Sequence, residues 1–282
     1  MTAKPIVAAA DGSEHSLRAV DWAAREAVLR GSPLRIVSAA ALLPRMVDRQ
    51  DTTDVATVAD ILRQNRDHAL AAAAARAAQA APGLLIDADD LPGQPARAIT
   101  DSGSGALMLV VGCRGMGGFT AMVLGSVSRY AASYATCPVV VVRDESPSER
   151  HLVGVGLRDL DDCDGTLAFA FEEAALRKAA LMAVHAWHES FTTPGARYAD
   201  AQAGRRLEEL LGDWRQKYPD VRVRTDVVHG HPARALVGLS AQADLVVIGR
   251  HARHSALPDF GAVRHAVLNH AHGPVVTVPS ET

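Results

Sequence analysis

One sequence unit occurs twice in this chain. The segment Ala19–Ala39 reappears as Thr166–Ala186, 147 residues later. Shorter segments follow in the same order: PARA, LMLVVGCR and CPVVVVR in the first half correspond to PARA, ADLVVIGR and GPVVTVP in the second. A period of about 140 residues has the size of a domain, not of a solenoid repeat. We therefore predict tandem domains at 1–143 and 151–282, joined by a polar linker at 144–150.

Short apolar runs alternate with helical patterns within each unit. In the first unit we expect strands at Ile6–Ala10, Leu34–Ala39, Leu84–Ala88, Met108–Gly112 and Val139–Val142. We expect helices at Ser13–Arg30, Val55–Ala81, Pro95–Ser102 and Ser126–Tyr134. Alternating strands and helices favour a parallel sheet with helices on both faces. Each unit is thus predicted to be a doubly wound, five-stranded α/β domain.

A glycine-rich loop follows the fourth strand of the first unit. Ligands of doubly wound sheets bind at the carboxyl ends of the strands, near the switch in strand order. The loop there has glycines at 112, 115, 117 and 118, and then a Gly125-Ser126 pair that opens a helix. Glycine amides and a helix N-terminus can cradle a phosphate, with the hydroxyls of Ser126 and Ser128 as further donors. The loop matches neither the Walker pattern nor the dinucleotide fingerprint, and glycine spacing alone leaves open an ordinary tight turn.

Three side chains near this loop have alternative interpretations. Asp11 ends the first strand and is either a ligand-binding acceptor or the N-cap of the next helix. Arg114 either pairs with phosphate or is a solvated surface residue. Cys113 is either a redox-sensitive thiol or simply a small loop residue.

The pattern Gly112-x2-Gly115-x9-Gly125-Ser126 resembles the nucleotide motif of the universal stress protein family. The segments ADGS (10–13), AVDWAAREA and CPVVVVR also resemble that family, especially tandem actinobacterial members, and the likeness spans the whole chain in two copies. It implies the nucleotide-binding, α-hydrolase-like fold of that family, and an ATP site in the first unit that can include Mg²⁺.

The resemblance also implies a role for each part of the site. Asp11 would contact the ribose and adenine side, Ala39 and Ala40 would border adenine, and the loop would hold the phosphates. The predicted binding set is Ala9, Asp11, Ser13, Ala39, Ala40, Gly112, Arg114, Gly115, Met116, Gly117, Gly118, Gly125, Ser126, Val127 and Ser128. The family commonly has glycine where this chain has Ala9; the added methyl either narrows the adenine pocket or is accommodated.

The second unit departs from the motif at several points. We match Asp11 with Gly156, and the second motif glycine with Ala252. Ala262 replaces the serine of the Gly-Ser pair, Pro258 removes a backbone donor, and the spacing is one residue shorter. We expect this unit to keep the fold without binding ATP in the family manner.

Ten of the twelve histidines lie in the second unit. His229, His231, His251 and His254 could converge on a metal such as zinc. No cysteine or carboxylate completes an evident set, so we predict no metal site. Cys163 lies among aspartates, which disfavour its thiolate.

Composition excludes several classes of function. Residues 1–143 carry 14 basic and 13 acidic side chains, and residues 151–282 carry 14 and 16, so neither unit is a basic nucleic-acid or lipid-surface module. No apolar run approaches the roughly 18 residues of a membrane span, and the run at Ile6–Ala10 is too short for a signal peptide. Three cysteines form no disulfide framework, which favours the cytoplasm.

No catalytic constellation is evident, so we expect a binding protein rather than an enzyme, with slow ATP hydrolysis left open. The first hypothesis is a stress-response regulator or energy sensor that holds ATP in its first domain. The alternative is an interaction scaffold that binds no nucleotide. The apolar last strands, Val139–Val142 and Val275–Val278, would invite pairing if their edges were left open. The family resemblance implies that such strands pair across a twofold, and in a tandem chain the two units can satisfy each other by a pseudo-twofold. We expect the whole chain to form a homodimer in addition.

Overall fold

The structure, a computed structural model, describes residues 3–39, 52–115, 124–143, 149–187, 196–250 and 260–280. The chain divides into two compact units, Met1–Val142 and Arg143–Thr282. Most of the predicted linker at 144–150 lies outside the described residues, so its bounds stay a prediction.

The first unit alternates five strands with four helices. Its elements are β1 (Ile6–Ala9), α1 (Glu14–Arg30), β2 (Leu34–Ala39), α2 (Thr52–Ala80), β3 (Ile86–Leu91), α3 (Pro95–Ser102), β4 (Met108–Gly112), α4 (Ser126–Tyr134) and β5 (Val139–Val142). All neighbouring strands pair in parallel, in the order β3-β2-β1-β4-β5. The strand order switches direction between β1 and β4, which opens a crevice at their carboxyl ends.

The second unit repeats this architecture. Its elements are β6 (Leu152–Leu157), α5 (Asp164–Leu176), β7 (Ala180–Trp187), α6 (Ala196–Lys217), β8 (Val223–His229), α7 (Pro232–Ser240), β9 (Leu245–Arg250), α8 (Phe260–His270) and β10 (Val275–Pro279). Its strands are also parallel, in the order β8-β7-β6-β9-β10. The predicted fold class is confirmed in both units.

The third strand of the first unit was predicted in the wrong place. The apolar run predicts Leu84–Ala88, but β3 runs from Ile86 to Leu91, and Leu85 is 76% exposed. β3 ends the strand order of its unit, and among the described strands its one partner is β2, so it needs little apolar surface. Two of its aspartates instead form ion pairs, Asp89 with Arg35 and Asp90 with Arg66.

The first helix of each unit carries a buried ion pair at equivalent positions. In α1, Arg30 pairs with Glu26 at 2.5 Å, with side-chain exposures of 7% and 2%. At the end of α5, the C-cap residue Arg177 pairs with Glu173, whose side chain is fully buried. Buried carboxylates are rare unless they are paired. In each unit, the buried glutamate accordingly has an arginine four residues later with which it pairs.

None of the described helices is both long enough and apolar enough to cross a membrane.

Candidate functional site

The end of β1 and the start of α1 place Asp11 at the crevice. The amide of Ala10 makes the last sheet hydrogen bond, to the Val37 carbonyl at 2.9 Å. Gly12 then turns the chain with φ of 85°, a left-handed conformation that favours glycine. Asp11 Oδ1 accepts a hydrogen bond from the Ser13 amide at 3.0 Å. This short-range turn fixes the half-buried carboxylate in front of the helix.

Ser13, not Asp11, is the N-cap of α1. Its hydroxyl oxygen accepts from the Ser16 amide at 3.2 Å. The Ser16 hydroxyl donates back to the Ser13 carbonyl at 2.8 Å, and its oxygen accepts from the Asp11 amide at 3.3 Å. Ser13 and Ser16 thus complete the helix start, and Asp11 is not used as its cap.

Gly112 ends β4 directly against the first turn of α1. A Cβ at this position would lie 2.6 Å from the His15 carbonyl oxygen and 2.9 Å from the Ser16 amide nitrogen. Both contacts are with backbone, which cannot turn aside. Glycine is therefore required here for close approach of strand and helix, and this brings the glycine loop beside Asp11.

Gly115 lies over the Asp11 carboxylate. A Cβ at Gly115 would stand 2.3 Å from Asp11 Oδ2 and 3.6 Å from the Asp11 carboxyl carbon. The Ser13 hydroxyl donates to the Arg114 carbonyl at 3.5 Å, which links the same loop to the start of α1. Sequence reasoning selected Asp11 and Gly115 separately, and the structure brings them into contact.

The loop returns to the sheet at the start of α4. The Gly125 amide donates to the Cys113 carbonyl at 2.9 Å. Gly125 is the N-cap and has no side chain with which to cap the first-turn amides. Ser126, the first helical residue, is exposed. An uncapped helix start beside a glycine loop is suited to an anion.

Ser128 has a different role from the one predicted. Its hydroxyl donates to the Gly112 carbonyl at 2.6 Å, and the residue is only 4% exposed. The donor expected to reach phosphate is therefore already engaged in holding β4 against α4. Of the two predicted serine donors, Ser126 is the accessible one.

The remaining predicted residues divide into described and undescribed positions. Ala9 is 8% exposed, and Ala39, which ends β2, is half-buried. Val127 and Arg114 are also half-buried. Ala40 and the three residues after Gly115 (Met116, Gly117 and Gly118) lie outside the described residues.

Cys113 has a histidine neighbour that the sequence did not reveal. Its Sγ lies 3.6 Å from Nδ1 of His15, the second residue of α1. The thiol is buried, with 3% of its residue surface exposed. This burial against α1 agrees with a packing role for the small side chain.

Strand register shows which residues of the two units are equivalent. Ile6 of β1 pairs with Met108 of β4, and Val153 of β6 pairs with Leu245 of β9. Met108 and Leu245 each precede the first glycine of their loop by four residues. Ile6 therefore corresponds to Val153, which is the same offset of 147 residues found in the helices that follow.

This register corrects the match proposed for Asp11. The equivalent residue is Arg158, and Gly156 corresponds to Ala9. The sequence match was wrong by two residues, because β1 and β6 are short apolar runs, and such runs can slip by two residues without changing the side-chain pattern. Carrying the helix offset back into the strand would have found Arg158. Among the other expected departures, Ala252 and Pro258 lie outside the described residues.

Arg158 lines a cleft at the carboxyl ends of the second unit's strands. Gly249 and Arg264 line it too, together with side chains from β6, β7, α7 and α8. Register and loop spacing make Gly249 the counterpart of Gly112, and Arg264 the counterpart of Ser128. The cleft is thus the second unit's version of the crevice beside Asp11, with the acid replaced by a base.

Cys163, just before α5, confirms the prediction that its thiolate is disfavoured. Burial raises the pKa of the Cys163 thiol to about 12, and the negative charge of Asp164 adds to the effect. Asp159, Asp162 and Asp161 contribute in the same direction. The thiol therefore keeps its proton at neutral pH.

Among the residues that the structure describes, no group of three histidine, cysteine or carboxylate side chains is placed to hold a metal ion. His251 and His254, two members of the histidine set considered from the sequence, fall outside those residues.

Each unit has a five-stranded parallel sheet with one switch in strand order, and the first unit also has the glycine loop. The chain is therefore a tandem doubly wound α/β protein. The family model described as "Universal stress protein family" matches residues 2–143 and again residues 149–279. The chain belongs to the universal stress protein family, as its motifs indicated.

Similar proteins share this arrangement over nearly their whole length. A universal stress protein of Mycobacterium tuberculosis is 33% identical over 287 residues, covering 96% of this chain and 95% of its own. One from Mycolicibacterium smegmatis is 33% identical over 284 residues, with coverage of 97% and 96%. The crystal structure of a universal stress protein from Archaeoglobus fulgidus matches the fold with a TM-score of 0.73 at 17% identity, covering 99% of each chain.

Proposed function

We propose that the first unit binds ATP and that its occupancy regulates a stress response, as an energy sensor would. The observation that carries this proposal is the contact between Asp11 and Gly115. It sets one carboxylate beside a glycine loop and an uncapped helix start. This combination suits a nucleotide, because its sugar hydroxyls can donate to a carboxylate and its phosphates accept from amides.

The arrangement around Asp11 supports a position for each end of the nucleotide. Asp11 Oδ1 already accepts from the Ser13 amide, which fixes the carboxylate for a ribose hydroxyl. The α4 start, with the exposed Ser126, would meet the phosphates. Ala9 and Ala39, at the carboxyl ends of β1 and β2, would border adenine with small apolar side chains.

Mg²⁺ fits this site as a companion of the phosphates. The ion keeps several waters and is bound largely through substrate phosphates. Because Asp11 is assigned to the sugar, phosphate oxygens and water would hold the ion. The ion would neutralise phosphate charge.

Regulation rather than fast turnover is part of the proposal. Phosphoryl transfer requires a positioned base or nucleophile in addition to phosphate donors. The contacts of Asp11 suit recognition of a sugar, and we assign no residue as the base. ATP would act by shifting the glycine loop and its neighbours between conformations.

The test is the nucleotide content of the purified full chain. Protein is denatured, the released small molecules are identified by chromatography and mass spectrometry, and binding of added Mg-ATP is measured by calorimetry. About one ATP per chain would support a working first site and a second unit that does not bind ATP. Two per chain would contradict our interpretation of the second unit. No retained nucleotide and no binding of Mg-ATP would overturn the proposal and favour the scaffold.

We also propose a cytoplasmic homodimer without nucleic-acid partners. The absence of nucleic acid from this proposal is supported by charge, since neither unit carries a marked excess of basic side chains. Light scattering after size-exclusion chromatography should give twice the mass of 29.7 kDa. A monomer at micromolar concentration would contradict this part of the proposal.

A further inference from the structure

We propose that Tyr130 and Tyr134 form an oxidative modification site, at which a one-electron oxidant couples the two phenol rings into a dityrosine link within one chain. The reactant is thus an oxidant of the class of a peroxidase haem that has consumed hydrogen peroxide. This inference concerns the exposed face of α4 and does not rest on nucleotide binding by the first unit.

The two tyrosine rings lie against each other. Their centroids are 4.6 Å apart, and their planes are inclined by 43°. Both residues belong to α4 and are four positions apart, which places their side chains on neighbouring turns of one helix face. Two phenol rings joined by a carbon–carbon bond are also inclined to each other and have nearly this centroid separation. Coupling therefore requires rotation of the rings rather than movement of the helix.

Both rings are accessible from solvent. Tyr130 is 37% exposed, and Tyr134 is 52% exposed. The opposite face of α4 is buried through Ser128, Ala131 and Ala132, so the packing of the helix leaves the two tyrosines outside. An oxidised haem held by another protein can take an electron from rings at such a surface without entering the chain.

The groups that usually react with oxidants are less accessible than this pair. Cys113, Cys137 and Cys163 are all buried. Burial also raises the pKa of the Cys163 thiol to about 12, so this thiol stays protonated at neutral pH, whereas the thiolate is the reactive form. The tyrosine pair therefore offers an oxidant a nearer target than the thiols do.

The coupling balances with the oxidant alone. Each phenol loses one electron to the haem and its hydroxyl proton to water, which leaves a phenoxyl radical with spin density on the ring carbons next to the C–O carbon. A carbon–carbon bond then forms between one such carbon of each ring. The hydrogen on each bonded carbon passes through water to the phenol oxygen, which restores both hydroxyls and both aromatic rings. The two electrons and two protons that are lost reduce one hydrogen peroxide to two waters.

Proximity favours a link within the chain over a link between chains. Radicals on neighbouring turns are already in contact, whereas radicals on separate chains must first meet by diffusion. The counterpart helix α8 has Ala266 and His270 at the equivalent positions, counted back from the Pro-Val starts of β5 and β10. The link can therefore form on α4, which follows the glycine loop, but not on α8.

Peptide mapping of the full chain tests the inference. Dilute protein is treated with hydrogen peroxide and a haem peroxidase, then denatured, alkylated and digested with trypsin. Cleavage after Arg129 and Arg143 gives one peptide that contains both tyrosines, while Tyr198 and Tyr218 fall in other peptides. We expect dityrosine fluorescence in this peptide, together with the loss of two hydrogen atoms. In a mixture of ¹⁵N-labelled and unlabelled chains, only links between chains give peptides that carry both labels.

Variants assign the link to the pair and to its geometry. Tyr130→Phe and Tyr134→Phe should each abolish it, because phenylalanine has no hydroxyl proton to lose. Tyr218→Phe is the matched control, since Tyr218 stacks on Phe171 instead, and it should leave the yield unchanged. Tyr134→Phe combined with Thr136→Tyr keeps two tyrosines in one peptide but moves one beyond the end of α4. Its yield should fall at least roughly tenfold, because the rings are no longer held one turn apart.

Three results would overturn the inference. An unmodified peptide, under conditions that convert free tyrosine to dityrosine, would show that the pair does not couple. Mixed-label peptides as the main product would place the link between chains. Full yield in the Tyr134→Phe/Thr136→Tyr chain would remove the role of the helix geometry. Gly115→Ala should leave the link intact whether or not it abolishes ATP binding, so the two proposals can fail separately.

Discussion

The carboxylate of Asp11 occupies the space that a side chain at Gly115 would need. The separation from a Cβ at Gly115 to Asp11 Oδ2 would be 2.3 Å, far inside van der Waals contact. Glycine is thus required at position 115 for a steric reason, in addition to any role of the loop amides in binding phosphate. A methyl group at Gly115 and the present position of Asp11 are incompatible.

Gly115→Ala should therefore displace the Asp11 carboxylate and abolish ATP retention. Because the clash is with the end of a side chain, which can rotate, stability should fall by less than about 2 kcal/mol. Retained nucleotide per chain and the denaturation midpoint are the measurements. Gly212→Ala, in α6 with no atom within 4 Å of the added Cβ, is the matched control and should keep its nucleotide. Unchanged ATP content in Gly115→Ala would remove Asp11 from the proposed site.

Gly112→Ala should destabilise the first unit. Its methyl would meet the backbone of His15 at 2.6 Å, and backbone yields only if β4 and α1 separate. We expect a loss of about 3 kcal/mol in the free energy of unfolding, measured with urea. In Gly125→Ala, in the same loop, the nearest atoms of the described residues would lie 3.5 Å from the added Cβ, so the change should cost at most about 1 kcal/mol, the effect of a poorer N-cap. Equal losses in the two variants would contradict the assigned steric role of Gly112.

Glu173→Gln should lower the free energy of unfolding, because it removes the charge with which Arg177 pairs. Breaking a buried ion pair costs about 3–5 kcal/mol, because the remaining charge is left without its partner. The same change at Glu14 should cost less than about 1 kcal/mol, since its side chain is 56% exposed and its pairs are at the surface. Urea denaturation of both variants tests the contrast. Replacing Glu173 and Arg177 together by leucine and methionine should recover much of the loss.

The Cys163 thiol should resist alkylation in the folded chain. With its pKa raised from 9.0 to about 12, its thiolate fraction at pH 8 is about a thousandfold below that of the unfolded chain. The raised pKa means that the buried thiol stabilises the fold below about pH 9, and that this contribution declines as the pH rises towards 12. Mass spectrometry of iodoacetamide-treated protein, with and without urea, measures the ratio at this cysteine. Asp164→Asn should speed the reaction in the folded chain, and rapid labelling of the folded original chain would contradict the burial.

Much of the fold could be predicted because the duplication and the hydrophobic periodicity are both patterns that extend over many residues. β2, β4, β5, α3 and α4 run between the predicted bounds. β3 was misplaced because an edge strand needs few apolar residues, so its true span, rich in aspartate, carries no strand pattern.

The residues of the site could be predicted from the sequence, but the contacts between them could not. Motif spacing selected Asp11, Gly112 and Gly115, but it could not show that Gly112 is packed on α1 or that the Ser128 hydroxyl is engaged by a carbonyl. These contacts join residues that are distant in sequence, and they are determined by how the strand packs on the helix. Arg158 was missed for a simpler reason, since short apolar strands align equally well in registers two residues apart.

Because Asp11 and Arg158 occupy equivalent positions, the two units can be compared with each other within one molecule. An acid and a base stand at one point of two copies of a single fold, in the same molecule and at the same concentration, temperature and ionic strength. Any signal assigned to one unit can be read against its counterpart, so differences between them report the local residues rather than the conditions. Exchanging the two side chains would then ask, in a single molecule, whether ligand choice follows the residue or the rest of its unit.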